Sequence, residues 1–284
     1  MEVLIDEKLG KYSTFKMGGV ARRMYFPACE SDLIQLYAEK DFDEGTYVIS
    51  GGSNILINDK KVFDRVINCS KLDTTIEYLG DGLYYVGASV RIQQFINLAM
   101  KDGYGGIEYL YSLPAMIGGI IAMNAGRGKG WDQTISQHVK KVRIFSKGFT
   151  KELSQEQCQF SYRSSVFSNY NSIIIGVYIQ LDKVSSQEIQ LKIKQRMSDV
   201  KQYQDRNKPN LGSVFCECNP KIMNLFRYVE LGNKNAAHFS RKTSNWLVNE
   251  GKATFSNTMF LIRCVMICHK IVHRDCRLEV KVWA

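Results

Sequence analysis

The sequence predicts an α+β protein with mixed sheets, because short strand-like runs alternate with amphipathic helical segments along the whole chain. The chain has 284 residues and 45% of them are hydrophobic, so it can bury a large core and form two or three domains. Near Val184 the composition changes from strand-rich to polar and helical. This change predicts a boundary between a first region, 1–183, and a second region, 184–284.

The elements of the first region are predicted from local apolar patterns. β-branched and aromatic runs predict strands at 22–26, 46–50, 83–87, 140–146 and 172–181, with two more short strands leading to residue 68. Amphipathic patterns predict helices at 30–40 and 90–101. The helix at 90–101 places four apolar residues on one face, namely Ile92, Phe95, Ile96 and Ala99.

The second region begins with a polar stretch, 185–206, whose composition predicts a long helix that ends at the breaker sequence 207–210. Helical patterns return at 221–228 and 257–272, and the closing residues 278–283 predict a strand. Both regions therefore combine helices with strands.

The formal net charge of +10 fits a nucleic-acid binder, an enzyme of phosphorylated ligands, or a basic surface without a function. Lys and Arg are scattered and no nucleic-acid recognition motif is present, so no nucleic-acid partner is predicted. No apolar run reaches the ~18 residues that suggest a membrane span, and the start of the chain has no secretory-signal pattern. These features predict a cytoplasmic protein that does not bind membranes.

The eight cysteines are irregularly spaced, which predicts reduced thiols. A zinc site that uses Cys216, Cys218, Cys264 and Cys268 with a nearby histidine is an alternative, although the paired C-x-x-C spacing of such sites is absent. Cys264 and Cys268 lie one helical turn apart in an apolar pattern, which favours buried small side chains. We therefore predict no metal.

Several common catalytic and nucleotide-binding motifs are absent. Gly51-Gly52-Ser53-Asn54 lacks the third glycine of a Rossmann fingerprint, and the segment 126–130 lacks the first glycine and the hydroxyl residue of a Walker loop. Neither a nucleophile elbow nor an HExxH zinc motif occurs. The phosphate-binding motifs of these common folds are therefore excluded.

Two glycine segments, 51–54 and 117–126, remain candidates for binding phosphate through backbone N–H groups. Successive N–H groups in such a turn can form an anion-binding nest. Each segment carries a Gly-Gly pair followed by an asparagine. Tight turns that are packed for structure alone are the alternative for each segment. Together the two segments favour a long cofactor that contains a pyrophosphate.

Seven motifs follow one another over nearly the whole chain: TFKMGGVA (14–21), VISGGSNILI (48–57), GIEYLYSLPAMIGGIIAMNAG (106–126), FSYRSSVF (160–167), LGSVF (211–215), FSRKTSNWLVNEGKAT (239–254) and LEVKVW (278–283). In this order they resemble the UDP-N-acetylenolpyruvoylglucosamine reductase family. The interval from Arg163 to Ser213 is 213 − 163 = 50 residues, which resembles the short second type of these reductases.

The resemblance implies an FAD-binding fold of the vanillyl-alcohol oxidase type. Its two α+β subdomains would lie at roughly 1–70 and 71–183, and a C-terminal α+β domain at 184–284 would bind the substrate. The implied reaction uses NADPH and FAD to reduce the enolpyruvyl group of UDP-N-acetylglucosamine enolpyruvate, giving UDP-N-acetylmuramate for peptidoglycan. The predicted partners are therefore a UDP-sugar and NADPH, and the predicted state is a monomer.

Three residues match the catalytic motifs of the family. Arg163, in the Tyr-Arg-x-Ser match, would clamp the substrate carboxylate, because a guanidinium fork suits a carboxylate. Glu279 would be the acid that polarises this carboxylate, and Ser213 would donate a proton to the substrate carbanion. An ordinary ion pair, a solvated strand position and a turn residue are the respective structural alternatives.

The resemblance also assigns binding residues. The predicted FAD contacts are Gly51, Gly52, Ser53, Asn54, Gly118, Gly119, Asn124, Ala125 and Gly126. Tyr162 is predicted to line the substrate pocket, with a core position as the alternative, and Lys221 to bind substrate in place of a missing basic residue. Asn245 and Asn249 match polar positions whose role we interpret as structural.

The chain departs from the family pattern at three places near the predicted substrate site. Ala115 replaces a glycine, Cys216 to Cys218 replace a stretch with a basic residue, and Thr243 replaces a histidine. An alanine at a position with positive φ would cost about 1 kcal/mol. The alternative function is therefore a flavin-binding paralogue with an altered substrate or without turnover.

Overall fold

The computed structural model describes residues 1–128, 130–168, 172–228 and 236–284. Its strands are β1 (Glu2–Lys8), β2 (Val20–Phe26), β3 (Tyr47–Ile49), β4 (Ile55–Ile57), β5 (Val62–Asn68), β6 (Ile76–Gly80), β7 (Leu83–Gly87), β8 (Tyr104–Gly105), β9 (Val139–Ser146), β10 (Phe149–Ser154), β11 (Ile173–Gln180), β12 (Asp182–Lys183), β13 (Asn210–Ser213), β14 (Phe215–Glu217), β15 (Ala237–Phe239), β16 (Trp246–Asn249), β17 (Arg277–Leu278) and β18 (Lys281–Trp283). Its α-helices are α1 (Glu30–Ala38), α2 (Ile92–Lys101), α3 (Ile117–Ala122), α4 (Ser186–Tyr203), α5 (Pro220–Phe226) and α6 (Phe255–Ile271). The α+β class is confirmed.

The chain divides into two compact units. The first unit consists of Met1–Ile5, Arg23–Gly51 and Asp64–Ser198. Its main sheet is antiparallel, with the strand order β10-β9-β11-β7-β6. The apolar faces of β7, β9 and β11 share one buried cluster with α2 and α3. The four residues predicted to share a face of α2 all lie in this cluster, so the helical periodicity is confirmed.

The second unit consists of Asp6–Arg22, Gly52–Phe63 and Asp199–Ala284. An antiparallel sheet has the order β13-β16-β15, β14 pairs with β17, and β18 lies parallel to β4. Helix α6 begins with a capping box between Thr254 and Asn257, and it packs against this unit's apolar cluster through Leu261, Ile262 and Val265. The first and last thirds of the sequence therefore meet in one core.

Parallel and antiparallel pairing occur together, as the sequence predicts. A four-stranded sheet has the order β1-β2-β5-β3, and β3 pairs with β5 in parallel. Strands β8 and β12 form a separate antiparallel pair. Of the helices in the described ranges, none has the length and apolar character that crossing a bilayer requires.

The predicted strands and helices are present with bounds shifted by a few residues, but two predictions are wrong. The closing strand at 278–283 is two strands, because the N–H groups of both Glu279 and Val280 donate to Val214 O and interrupt the ladder. The Gly118-Gly119 pair is not a tight turn, because it lies within α3. The boundary between an FAD-binding region and a substrate-binding region near residue 184 stays a prediction. In the structure, the segments 6–22 and 52–63 pack in the same compact unit as residues 199–284.

Candidate active site

The Gly51–Asn54 segment is a loop between β3 and β4. Thr14 N donates to Gly52 O at 3.0 Å, and Gly52 has a φ of +59°. A Cβ atom on Gly52 would lie 1.8 Å from Tyr12 O, so this glycine is required by packing as well as by φ. The N–H groups of residues 51–54 donate no hydrogen bond to any residue that the structure describes. The loop therefore has four N–H groups without a described partner, and its role as an anion-binding nest stays a prediction.

The Ile117–Gly126 segment uses its backbone differently. Gly118 N donates to Ala88 O at 2.9 Å, and Ala125 N donates to Ile120 O at 2.9 Å. A Cβ atom on Gly126 would lie 2.0 Å from Gln133 O, so close backbone packing requires this glycine. Packing within the first unit thus accounts for part of this segment, although as a short helix and not as a tight turn.

Gly119 differs from the two glycines on either side of it in the segment. Outside its own helix, the nearest atom to a Cβ placed on Gly119 is Ser50 Oγ at 3.5 Å, an ordinary contact distance. Gly118 is tighter, because a Cβ there would lie 3.1 Å from the Cβ of Ala88. Among the described residues, packing therefore does not fill the space beside the backbone of Gly119.

Asn124 ties the glycine segment to the Tyr-Arg-x-Ser motif. It is 3% exposed and has a φ of +41°. Its Nδ2 donates to Ser161 O at 2.9 Å, and its Oδ1 accepts from Ser136 N at 3.2 Å. Asparagine tolerates this backbone conformation better than most residues. The side chain therefore orients residues just before Arg163.

Arg163 lies in a two-residue turn that Ser161 and Ser164 close with reciprocal backbone hydrogen bonds of 3.0 and 3.1 Å. Its φ is +56°, an uncommon conformation for a residue with a Cβ. The guanidinium Nη2 donates to Gly126 O at 2.8 Å, and Cζ lies 5.7 Å from the ring centre of Tyr162. Within the first unit, the structure thus brings together Arg163, Tyr162 and the end of the glycine segment. Backbone strain of this kind occurs frequently at functional sites.

Ser213 ends β13 in the second unit, and its surroundings are fixed by an asparagine. Gly212, with a φ of +67°, lets the chain turn into Ser213. Asn245 then holds the next residues, because its Oδ1 accepts from Phe215 N at 3.0 Å and its Nδ2 donates to Phe215 O at 2.7 Å. The Asn245 carbonyl also accepts from Val214 N at 2.9 Å. The structural interpretation of Asn245 agrees with these contacts.

Glu279 is held beside the Ser213 strand. Its N–H donates to the carbonyl oxygen of Val214, the residue after Ser213, at 2.8 Å. Asn54 Nδ2 donates to Glu279 O at 3.2 Å, and Asn54 O accepts from Lys281 N at 3.1 Å. The second unit therefore brings together Ser213, Glu279 and Asn54, which lie far apart in the sequence.

Lys221 occupies the first turn of α5, where its N–H donates to the helix cap Asn219 at 2.9 Å. Its side chain is exposed. In the part of the chain that the structure describes, no hydrogen bond links Lys221 to Ser213 or Glu279. The substrate role of Lys221 therefore stays a prediction.

The departures from the family pattern are accommodated locally. Ala115 does not have a positive φ, so the cost expected for an alanine there does not arise. Thr243 N donates to Ser240 Oγ at 3.1 Å, which gives the threonine a place in its own turn. Burial raises the pKa of the thiols of Cys216 and Cys218, which keeps them protonated. Within the described ranges, no group of three or more His, Cys, Asp or Glu residues has a metal-binding arrangement.

A dinucleotide cofactor fits these features. The loop 51–54 offers N–H donors that no described residue uses. Phosphate oxygens accept hydrogen bonds from donors of this kind. The residues present are therefore compatible with a cofactor that carries a diphosphate.

The fold is that of a solved oxidoreductase. The crystal structure of the UDP-N-acetylenolpyruvylglucosamine reductase from Thermus caldophilus matches all of this chain and 98% of its own, with a TM-score of 0.80 and 24% sequence identity. No family model matches the chain.

Two reductases with the name UDP-N-acetylenolpyruvoylglucosamine reductase are more similar in sequence. The Bacillus pumilus protein is 30% identical over 98% of this chain and 92% of its own length. The Carboxydothermus hydrogenoformans protein is 31% identical over 92% of this chain and 86% of its own length. The chain belongs to the UDP-N-acetylenolpyruvoylglucosamine reductase family.

Proposed function

We propose that this chain reduces the enolpyruvyl double bond of UDP-N-acetylglucosamine enolpyruvate with NADPH, giving UDP-N-acetylmuramate for peptidoglycan synthesis. The observation that carries the proposal is sequence similarity over nearly the full length of reductases with that name. When bound, FAD would supply the hydride-transfer chemistry that links NADPH to the terminal carbon of the enolpyruvyl group. The protein's own residues then have to manage charge and a proton.

Arg163 is the proposed clamp for the substrate carboxylate. Hydride addition to the double bond places negative charge on this carboxylate, and a guanidinium in a fixed orientation stabilises that charge. The hydrogen bond from Nη2 to Gly126 O and the tight turn support this role, because both limit the movement of the side chain. A preoriented cation loses less entropy when the substrate binds.

Ser213 and Glu279 are the proposed proton donor and acid. A serine hydroxyl is a weak acid, so it can donate only to a strongly basic carbanion within hydrogen-bond reach. Such a centre forms at the carbon that bears the ether oxygen. Glu279 would hydrogen-bond the substrate carboxylate and stabilise the same charge. The hydrogen bond from Glu279 N to the carbonyl of Val214, the residue after Ser213, supports a joint role.

The remaining assignments follow from the family. FAD is proposed to contact residues 51–54, 118, 119 and 124–126, in a fold of the vanillyl-alcohol oxidase type with subdomains at roughly 1–70 and 71–183. The substrate is proposed to bind the region 184–284, with Tyr162 and Lys221 as further contacts. A monomeric state and a cytoplasmic location stay predictions.

The test uses the flavin's colour as its readout. The FAD-loaded protein is bleached with NADPH without oxygen, and UDP-N-acetylglucosamine enolpyruvate is then added. Recolouring supports the proposed reaction. Bleaching without recolouring would instead favour a flavoprotein with another substrate, and a protein that never takes up FAD would contradict the proposal.

The variant Ser213→Ala separates the two half-reactions. Bleaching by NADPH should keep its rate, while recolouring should slow by about two to four powers of ten, because the proton donor is lost. Ser256→Ala, an exposed serine on α6 of the same unit, is the matched control. Unchanged recolouring in Ser213→Ala would remove Ser213 from the mechanism.

A further inference from the structure

Three of the eight cysteines lie where β14 meets β17 in the second unit. Cys216 lies within β14, Cys218 follows the last residue of β14, and Cys276 precedes the first residue of β17. All three are free thiols of intermediate exposure. Cys218 and Cys276 also pack against the apolar cluster of this unit. The fold therefore gathers thiols that lie far apart in the sequence.

The strand register places Cys218 opposite Cys276. The two strands are antiparallel, and Glu217 pairs with Arg277. One step forward on one antiparallel strand corresponds to one step back on the other, so the next opposite positions are Cys218 and Cys276. Residues opposed in this way share a face and have Cα atoms about 4.5 or 5.5 Å apart. Both separations lie in the range of about 4.4–6.8 Å that a disulfide requires.

Cys216 is placed differently from the other two cysteines. Between Phe215 and Glu217, β14 advances by two residues while β17 advances by one. Cys216 is therefore the extra residue of a β-bulge and has no opposite residue of its own. Its Sγ donates to the backbone carbonyl of Arg277 at 3.4 Å. Cys216 thus serves as a control for the pair, because it is a nearby thiol outside the register.

Burial determines how these thiols react. It raises the pKa of Cys218, and it raises the pKa of Cys276 to about 11. The pKa of Cys276 is raised further by the charges that Cys218 and Cys216 carry as thiolates, which agrees with their proximity. Because the thiolate is the nucleophile in thiol–disulfide exchange, oxidation should be slow. Once formed, a disulfide between such thiols should resist reduction, because the reduced state gains no stability from ionisation.

We propose that Cys218 and Cys276 form a dithiol that a low-molecular-weight disulfide, such as glutathione disulfide, oxidises to an intramolecular disulfide. The thiolate of one cysteine attacks glutathione disulfide, which forms a mixed disulfide and releases one glutathione thiol. The other cysteine then attacks the protein sulfur of the mixed disulfide and releases the second glutathione thiol. Two cysteine thiols and one glutathione disulfide thus become one protein disulfide and two glutathione thiols.

The bond would restrain the part of the second unit that holds two of the proposed catalytic residues. It would join the chain that follows Ser213 to the chain that precedes Glu279. The proposal goes beyond the proposed function and assumes nothing about the reaction. Its test therefore needs neither flavin nor substrate.

The first measurement maps the disulfide in the full-length wild type. The reduced protein is incubated with excess glutathione disulfide, the remaining thiols are alkylated, and the peptides are analysed by mass spectrometry without reduction. We expect a linked pair of peptides that contain Cys218 and Cys276, and alkylated Cys264 and Cys268. Alkylation of both Cys218 and Cys276, a lasting glutathione adduct on either, or linkage of either to another cysteine would overturn the proposal.

Serine variants test the register. Cys216→Ser should still form the disulfide, at a rate within about twofold of the wild type, because its thiol takes no part. Cys218→Ser and Cys276→Ser should each stop at the mixed disulfide with glutathione, because the second thiol is missing. Loss of the disulfide in Cys216→Ser, together with its retention in Cys218→Ser, would assign the bond to Cys216 and contradict the register.

Thermal unfolding shows whether the bond fits the fold. The disulfide would join residues that are 276 − 218 = 58 positions apart, and a cross-link of this kind restricts the unfolded chain. Oxidised wild type should therefore melt at least about 3 °C above reduced wild type. Cys276→Ser, given the same treatment, is the control and should not gain this increase. A lower melting temperature for the oxidised wild type would show that the strands must leave their register to form the bond, against the proposal.

Discussion

In the loop of residues 51–54, four consecutive N–H groups donate to no described residue, whereas in the segment of residues 117–126 several N–H groups are used within the chain. Both segments carry a Gly-Gly pair followed by an asparagine. One of them bends between two strands, and the other forms a short helix. The same local composition therefore leaves N–H groups without a described partner in one place and serves close packing in the other.

The difference shows what a glycine motif does and does not indicate. Gly118 and Gly126 are close to backbone or side-chain atoms of their own unit, so packing accounts for them. Close packing does not explain why residue 119 is a glycine, and no described residue accepts a hydrogen bond from the N–H groups of the loop 51–54. Substitutions at matched positions of the two segments can therefore separate the contribution to folding from the contribution to binding.

The largest expected effect is that of Gly52→Ala. Its Cβ would lie 1.8 Å from Tyr12 O at a φ of +59°, so the loop has to shift. We expect the free energy of unfolding to fall by about 2–4 kcal/mol in urea titrations. Gly51→Ala is the control, because its Cβ would lie at an ordinary 3.4 Å from Pro114 O. Equal losses in the two variants would contradict this account of the loop.

The second-largest expected effect is a difference in stability loss between the two asparagines that follow the glycine pairs, Asn124 and Asn54. Asn124→Ala removes two hydrogen bonds from a buried side chain, so the free energy of unfolding should fall by about 2–3 kcal/mol. Asn54→Ala removes one bond from a half-buried side chain and should cost about 1 kcal/mol. Urea titration of both variants checks the order. A larger loss for Asn54→Ala would break the distinction between the segments.

A smaller difference in the free energy of unfolding is expected between alanine substitutions of Gly118 and Gly119 in α3. Gly119→Ala should leave the free energy of unfolding unchanged or raise it by up to about 1 kcal/mol, because alanine favours the helix and meets only Ser50 Oγ. The same variant should weaken FAD binding if the cofactor occupies the room at this position. In Gly118→Ala the contact with Ala88 opposes the helical gain, so its unfolding free energy should be lower than that of Gly119→Ala. FAD affinity that is unchanged in Gly119→Ala would assign this room to packing alone.

The smallest expected effect is a pH dependence of the free energy of unfolding that comes from Lys281 in β18. The pKa of Lys281 is lowered from 10.5 in the folded protein, so between the two pKa values the unfolded chain binds more protons. The free energy of unfolding should therefore rise with pH in that interval, and the rise should be absent in Lys281→Met. The effect is small because the side chain is half exposed. The segment 117–126 holds no ionisable side chain and makes no such contribution.

The sequence predicts the α+β class, most of the elements and the family, because these depend on periodicity and on local motifs. The face of α2 is an example, since four apolar residues at helical spacing are all buried. The functional roles of Arg163, Ser213 and Glu279 stay predictions, although each is found in a constrained backbone environment.

What the sequence does not reveal is the long-range hydrogen bonding. The clamp of Asn245 on Phe215 and the split of the closing strand at Val214 join residues with no local signal between them. The helix at Gly118-Gly119 gives no local signal for a related reason, because α3 is stabilised by hydrogen bonds to Ala88 and Val90 and not by propensity. A glycine pair by itself disfavours a helix.

The contact between Asn54 and Glu279 spans 225 positions of the chain. During synthesis on the ribosome, β4 emerges long before its partner β18, and contacts between such distant residues form slowly. The nascent protein must therefore hold β4 unpaired until β18 has been synthesised. Ordering of the residues that follow the loop 51–54 is thereby coupled to synthesis of β18, so a translation product that stops before residue 281 cannot pair β4 in this way.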